Sequence, residues 1–156
     1  MATEYFNKIE FKHALSFVET NPSLARIKFE EYLKKYPKDY SAYTYYASVL
    51  ITLKELDKAE YVLNSMDFLS RNDKNYANKL DKIHLNTINS ISSRLRLLSY
   101  QEKYKELYQL YQQYYKEIQN MDMAPLIFYC QKQLGMIAPE KREKHPYIFR
   151  QIASYN

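Results

Sequence analysis

In 156 residues the sequence has one glycine, one cysteine, no tryptophan and five prolines. With a single glycine, almost no position enters the left-handed backbone region without cost, so a turn-rich β fold is disfavoured and short joints between helices are favoured. The same scarcity excludes a phosphate-binding loop and a dinucleotide fingerprint, which need several glycines within a few positions. Cys130, being alone, can form no internal disulfide and offers zinc no paired thiol; it reads as a small buried hydrophobe. No run approaches the ~18 apolar residues of a membrane span, and the opening MATEYFNKIEFKHALSF is charged throughout where a signal peptide would be apolar. A soluble, cytoplasmic protein with no membrane partner is expected. His13, His84 and His145 are far apart without companions at ligand spacing, and no nucleophile motif accompanies the serines. No metal, cofactor or catalytic residue is assigned, and a non-enzymatic role is expected.

What the chain does have is apolar content, 46% of residues, and 18 tyrosines. That is enough to bury the core of about one domain. The net charge of +5 lies wholly in the second half: residues 1 to 78 hold 11 Lys/Arg and 11 Asp/Glu, and residues 79 to 156 hold 12 and 7. A basic half suits an acidic partner, although charges this scattered read first as a solvated surface. Tyr104, Tyr108, Tyr111 and Tyr115 fall at i, i+4, i+7 and i+11, the spacing of one helix face, which points to packing with the hydroxyls at the rim. Lys103, Lys105 and Lys116 are too few to interleave with them for stacking on single-stranded RNA, so nucleic acid is disfavoured.

Helical periodicity runs along most of the chain. A first helix is expected over 3 to 20, with Tyr5, Ile9, Ala14, Leu15 and Val18 as its apolar stripe. Asn21 and Pro22 suit the cap and first position of a second helix, 23 to 36, which stops before Pro37. Asp39 is placed to cap a third over 40 to 53, and a fourth follows over 56 to 69. One long helix is expected over 73 to 98, another over 101 to 120, and a short one over 124 to 134 closed by Gly135 and Pro139. Beyond it lies a charged tail, 139 to 156, with Tyr147, Ile148, Ile152 and Tyr155 at helical spacing.

Within this pattern Ala25, Phe29 and Tyr32 are answered one by one, at an offset of 34, by Ala59, Leu63 and Met66. The period is that of a helix-turn-helix repeat. With Tyr40 as the first position, Tyr43, Tyr46, Ala47, Leu50, Ala59, Leu63 and Met66 fall where the tetratricopeptide repeat family has its characteristic residues, and the chain resembles that family. The first repeat is degenerate, with Lys12 and His13 where the family has Leu-Gly. A third fits if an insertion of eleven is allowed before Leu85, placing Tyr104 at the position of Ala59. The resemblance implies an all-α fold, a short right-handed α-solenoid of antiparallel helix pairs. It would comprise about three repeats (5–37, 38–72 and 73–120) and a capping helix, 124–135, within a domain of residues 1–138.

In that family the first helix of each repeat lines a concave groove that holds a peptide. The resemblance assigns to the groove Ser41, Thr44, Ser48 and Ile51 in the second repeat and Asn86, Asn89, Ser93 and Arg96 in the third. Asparagine amides suit an extended peptide backbone, and Arg96 suits a carboxylate. The Ser41, Thr44, Ser48 set departs from the family's two-carboxylate clamp, which disfavours a chaperone C-terminus as ligand. The implied function is a non-catalytic scaffold or adaptor that binds a peptide or helix of a protein partner. The second reading is a regulatory or self-association module of a larger system, a peptide-responsive sensor or a homodimer joined through the tail.

Overall fold

The computed structural model describes residues 6–77, 80–119 and 122–137, with backbone alone at 76, 77 and 80–89. Among the described residues all regular structure is helical: α1 (Lys8–Leu15), α2 (Pro22–Lys35), α3 (Tyr40–Thr52), α4 (Leu56–Arg71), α5 (Lys74–Ala77), α6 (Leu80–Tyr100), α7 (Tyr104–Gln113), α8 (Tyr115–Ile118) and α9 (Ala124–Gln133). None is long and apolar enough to cross a membrane.

The chain divides into two compact units, residues 1–86 and 87–156, and the division falls inside α6. In the first unit α1 packs on α2, α2 on α3 and α3 on α4. Ala25 and Ala59, both 0% exposed, are the small residues that let neighbouring helices approach closely. Phe29, Leu63 and Met66, one or two turns on, are buried beside them. Eleven of the thirteen α3 residues are buried, so that helix is enclosed on every side. The core of the second unit joins Ile91 and Leu95 of α6, Leu107 of α7, Ile118 of α8 and Leu126, Ile127 and Cys130 of α9.

Local chemistry sets the ends. The Asn7 side chain accepts the amides of Ile9 and Glu10, so α1 starts at Lys8, five residues later than expected. Its inward face is then Phe11 and Ala14, with Val18 buried in the turn that follows and Phe11 set edge-on to Phe29, Tyr32 and Tyr45 at 6.0, 5.9 and 5.4 Å. Ile9, expected in the stripe, lies two positions from Phe11 and is 82% exposed. Tyr5 lies outside the described residues. Asn21 and Pro22 act as expected, Asn21 accepting the Leu24 amide. The helix expected over 101 to 120 is broken at Tyr114, which leaves helical geometry between α7 and α8. The helix expected over 73 to 98 appears as α5 and α6, on either side of residues 78 and 79, which lie outside the described residues.

Three helix ends share one device. After α3, α6 and α9 a single residue takes positive φ: Lys54 at 64°, Glu102 at 60° and Gly135 at 75°. Each time the next residue's amide reaches back to a carbonyl five positions earlier, Glu55 to Leu50, Lys103 to Leu98 and Met136 to Gln131, all at 2.9 Å. This is the Schellman closure, which satisfies the carbonyls a helix end leaves free. Counted from the left-handed residue of each joint, Leu107 stands as far beyond Glu102 as Ala59 stands beyond Lys54, and both are 0% exposed. Tyr104, expected in that place, is only half-buried. The stretch from Lys74 to Tyr100 exceeds the 13 residues of α3 by 14 residues. The lengthening is therefore three positions greater than the eleven that alignment on Tyr104 implies.

Lys54→Gly and Glu102→Gly should each raise stability by roughly 1 kcal/mol, because a side chain in the left-handed region clashes with its own backbone. Denaturant unfolding of the two variants measures this, and a loss of stability in both would contradict the joint geometry.

Candidate functional site

Of the residues assigned to the groove, the six whose side chains are described are buried. Ser41 is 2% exposed, Thr44 and Ser48 0%, Ser93 0% and Arg96 1%. Ile51 is equally buried. The side chains of Asn86 and Asn89 lie outside the described residues. The Thr44 hydroxyl meets Met66 Sδ at 3.6 Å, and Thr52 bonds back to the Ser48 carbonyl at 3.0 Å. In the second unit the Ser92 hydroxyl lies 3.9 Å from Met123 Sδ, and Ser99 donates to the Arg96 carbonyl at 2.6 Å. An inner helix face that spacing marks as groove lining is thus interior, and Arg96 is among the largest fully buried side chains. No ligand touches these residues unless the packing around them opens.

The polar chemistry that is organised lies at the seams between helices. Glu30 of α2 accepts from the Tyr46 hydroxyl of α3 at 2.9 Å and pairs with Lys58 of α4 at 3.2 Å, so one carboxylate ties three helices. Burial acts to raise the Glu30 carboxyl, but the Tyr46 hydroxyl and the Lys58 ammonium outweigh it and hold the group below its ordinary value. Burial, reinforced by the bond to Glu30, pushes the Tyr46 phenol up to about 12. Beside them Arg26 of α2 pairs with Glu55 of the α3 to α4 joint at 2.9 Å.

A second seam repeats itself. Asp39 and Asp73 stand one repeat period apart, each immediately before a helix. Asp39 accepts the Tyr32 hydroxyl at 2.6 Å and the Ser41 hydroxyl at 2.7 Å. Asp73 accepts the Tyr40 hydroxyl at 2.6 Å and, at 3.1 Å, the amide of Asn75, which lies one period after Ser41. Asp39 was expected to cap α3 through backbone amides, but no side-chain cap bond forms there because the hydroxyls take its oxygens. The Tyr32 hydroxyl also accepts the Asn7 amide at 3.0 Å, and burial drives that phenol well above its ordinary value. The recurrence of Asp-x-Ser and Asp-x-Asn at the repeat period is the signal in the sequence that marks this seam.

A polar cleft between α1 and α2 is lined by Glu10, His13, Lys28, Glu31, Tyr32 and Lys35. Its charges are paired, Lys35 with Glu10 at 3.3 Å and Lys28 with Glu31 at 3.7 Å. Among the described residues no group of His, Cys, Asp or Glu is gathered to hold a metal ion. The Cys130 thiol is buried and donates to the Tyr104 carbonyl at 3.3 Å, and burial pushes it up to about 11. Of the tyrosine ladder, Tyr104, Tyr108 and Tyr111 pack half-buried against the second core, while Tyr115 is 52% exposed. Compared with family models, curated proteins and solved structures, the chain gives no match.

Two outcomes follow from this geometry. Arg96→Ala should lower the melting temperature, because truncating a fully buried side chain leaves a cavity, where an open groove residue would be neutral. An unchanged melting temperature would contradict its burial. A carboxyl held low in the folded state contributes stability above its unfolded value of about 4.3, and that contribution is lost as pH falls through the folded value. The stability gap between the native chain and Glu30→Gln should therefore stay constant above about pH 5 and shrink below about pH 4; a gap that persists unchanged to about pH 3 would contradict the tie.

Proposed function

We propose that the chain is a non-catalytic interaction module, a short tetratricopeptide-like solenoid of helix pairs that acts as an adaptor for a peptide or helix of a protein partner in the cytoplasm. The observation that carries this reading is the repetition of local geometry along the chain. Three helix ends close through the same Schellman hydrogen bonds, and two aspartates one repeat apart accept tyrosine hydroxyls ahead of successive helices. Stacked helix pairs of this kind present extended surfaces, and such surfaces suit binding better than chemistry. The excess of positive charge in residues 79–156 favours an acidic segment as the ligand.

Burial of Thr44, Ser48, Ser93 and Arg96 favours a second reading in which the module is a sensor. A ligand that needs the inner helix faces would then be captured only as they open, and its binding would shift the population towards the open form.

Peptides selected by display on the immobilised chain separate the two. Under either reading a selected peptide should bind the Asn86→Ala/Asn89→Ala variant about tenfold more weakly, the loss of one or two hydrogen bonds. Amide exchange around Thr44, Ser48 and Arg96 should slow on binding if the module is an adaptor whose closed packing the ligand holds, and quicken if it is a sensor that opens. Equal affinity for the double variant would overturn the groove in both forms.

A further inference from the structure

The outer face of α4 carries a stripe with a symmetry of its own. Asp57, Tyr61, Asn64, Phe68 and Arg71 recur at intervals of four, three, four and three, which places all five on one narrow side of a 3.6-residue helix. All five are exposed, Tyr61 by 72% and Phe68 by 68%. The opposite side of α4, with Ala59, Val62, Leu63 and Met66, is the buried one. The stripe is therefore additional to what the fold of its own unit uses, and two large exposed aromatics one heptad apart mark an interaction surface.

We propose that this stripe is a self-association surface, on which a second copy of the chain lays its own α4 antiparallel across a two-fold axis at Asn64. Asp57 lies seven residues before Asn64 and Arg71 seven after it, so reversal of the helix brings each Asp57 level with the partner's Arg71. Tyr61 lies three residues before and Phe68 four after, so each Tyr61 comes within about one residue's rise of the partner's Phe68. Neither Asp57 nor Arg71 is in an ion pair with another described residue. A parallel pairing would set Asp57 against Asp57 and Arg71 against Arg71, and the charges reject it.

A two-fold contact is isologous, so every pair forms twice. The two Tyr61 to Phe68 pairs would make the apolar centre, since aromatic side chains supply large contact area at interface cores. The two Asp57 to Arg71 pairs sit at the rim, where they fix orientation more than they add affinity. A 16-residue helix is about 24 Å long, which limits the contact to the small end of specific interfaces. Association should accordingly be concentration-dependent, and it is independent of whether the inner helix faces bind a peptide.

Sedimentation velocity on the full chain, from about 1 to 500 µM, spans the range where so small an interface is half occupied. The native chain should move from monomer to dimer across it, and Phe68→Glu should remain monomeric. Asp57→Arg alone and Arg71→Asp alone should each shift dimerisation to higher concentration by about tenfold or more, because like charges then oppose one another twice. The double variant D57R/R71D, which reverses both charges, should restore the native isotherm. Circular dichroism of each variant checks that it is folded, and the charge-reversal set decides the question even if Phe68→Glu misfolds. A native chain monomeric throughout, dimerisation that survives the single charge variants, or a double variant that fails to recover would each overturn the proposal.

Discussion

A short joint between helices is commonly closed by one residue in the left-handed region, and in this chain that place falls mostly on residues ill suited to it. Lys54 and Glu102 adopt φ of 64° and 60° where the usual occupant is glycine, and Gly135, the single glycine, takes the third such place. The conformation is held because the following amides, Glu55, Lys103 and Met136, satisfy carbonyls of the last helical turn. The joints at Lys54 and Glu102 set where α4 and α7 begin and hence which of their residues face inward. Ala59 and Leu107 are interior for the same reason: each lies five residues beyond a left-handed residue.

With the joints fixed, the first unit is held by side chains that span helices. Glu30 joins α2 to Tyr46 of α3 and Lys58 of α4, Arg26 joins α2 to the following joint, and Tyr32 and Tyr40 anchor on Asp39 and Asp73. These bonds are partly exposed, so each adds little energy alone. They constrain how α2, α3 and α4 meet, since each forms only when its two partners are brought together. The apolar contribution comes from the enclosed α3 and from the aromatic cluster around Phe11.

Helices α2, α3 and α4 are legible in the sequence to within about two residues, because Asn21-Pro22, Pro37 and the Ala25 and Ala59 positions are strong local signals. The joint between α6 and α7 lies three positions from where the tyrosines suggest, because its left-handed residue is Glu102, and nothing local distinguishes that glutamate from any other. Tyr114 interrupts α7 without proline or glycine to announce it. The burial of Thr44, Ser48, Ser93 and Arg96 is illegible in principle: spacing shows which residues share a face, and only tertiary packing shows whether that face meets water. The exposed stripe on α4 is open to the same periodicity argument, and its symmetry about Asn64 becomes meaningful once the face is seen to be bare.

The central claim is that one helix-end geometry recurs along the chain at Lys54, Glu102 and Gly135, the first two of them 14 residues further apart than the 34-residue period. Backbone chemical shifts and residual dipolar couplings measured by NMR on the native chain test it most directly. Positive φ at Lys54, Glu102 and Gly135, each directly after a helical segment, is the predicted result. Right-handed helical φ at Lys54 and Glu102 would contradict it, since α3 would then run on towards α4, α6 would run on into α7, and the repeat would have no joints.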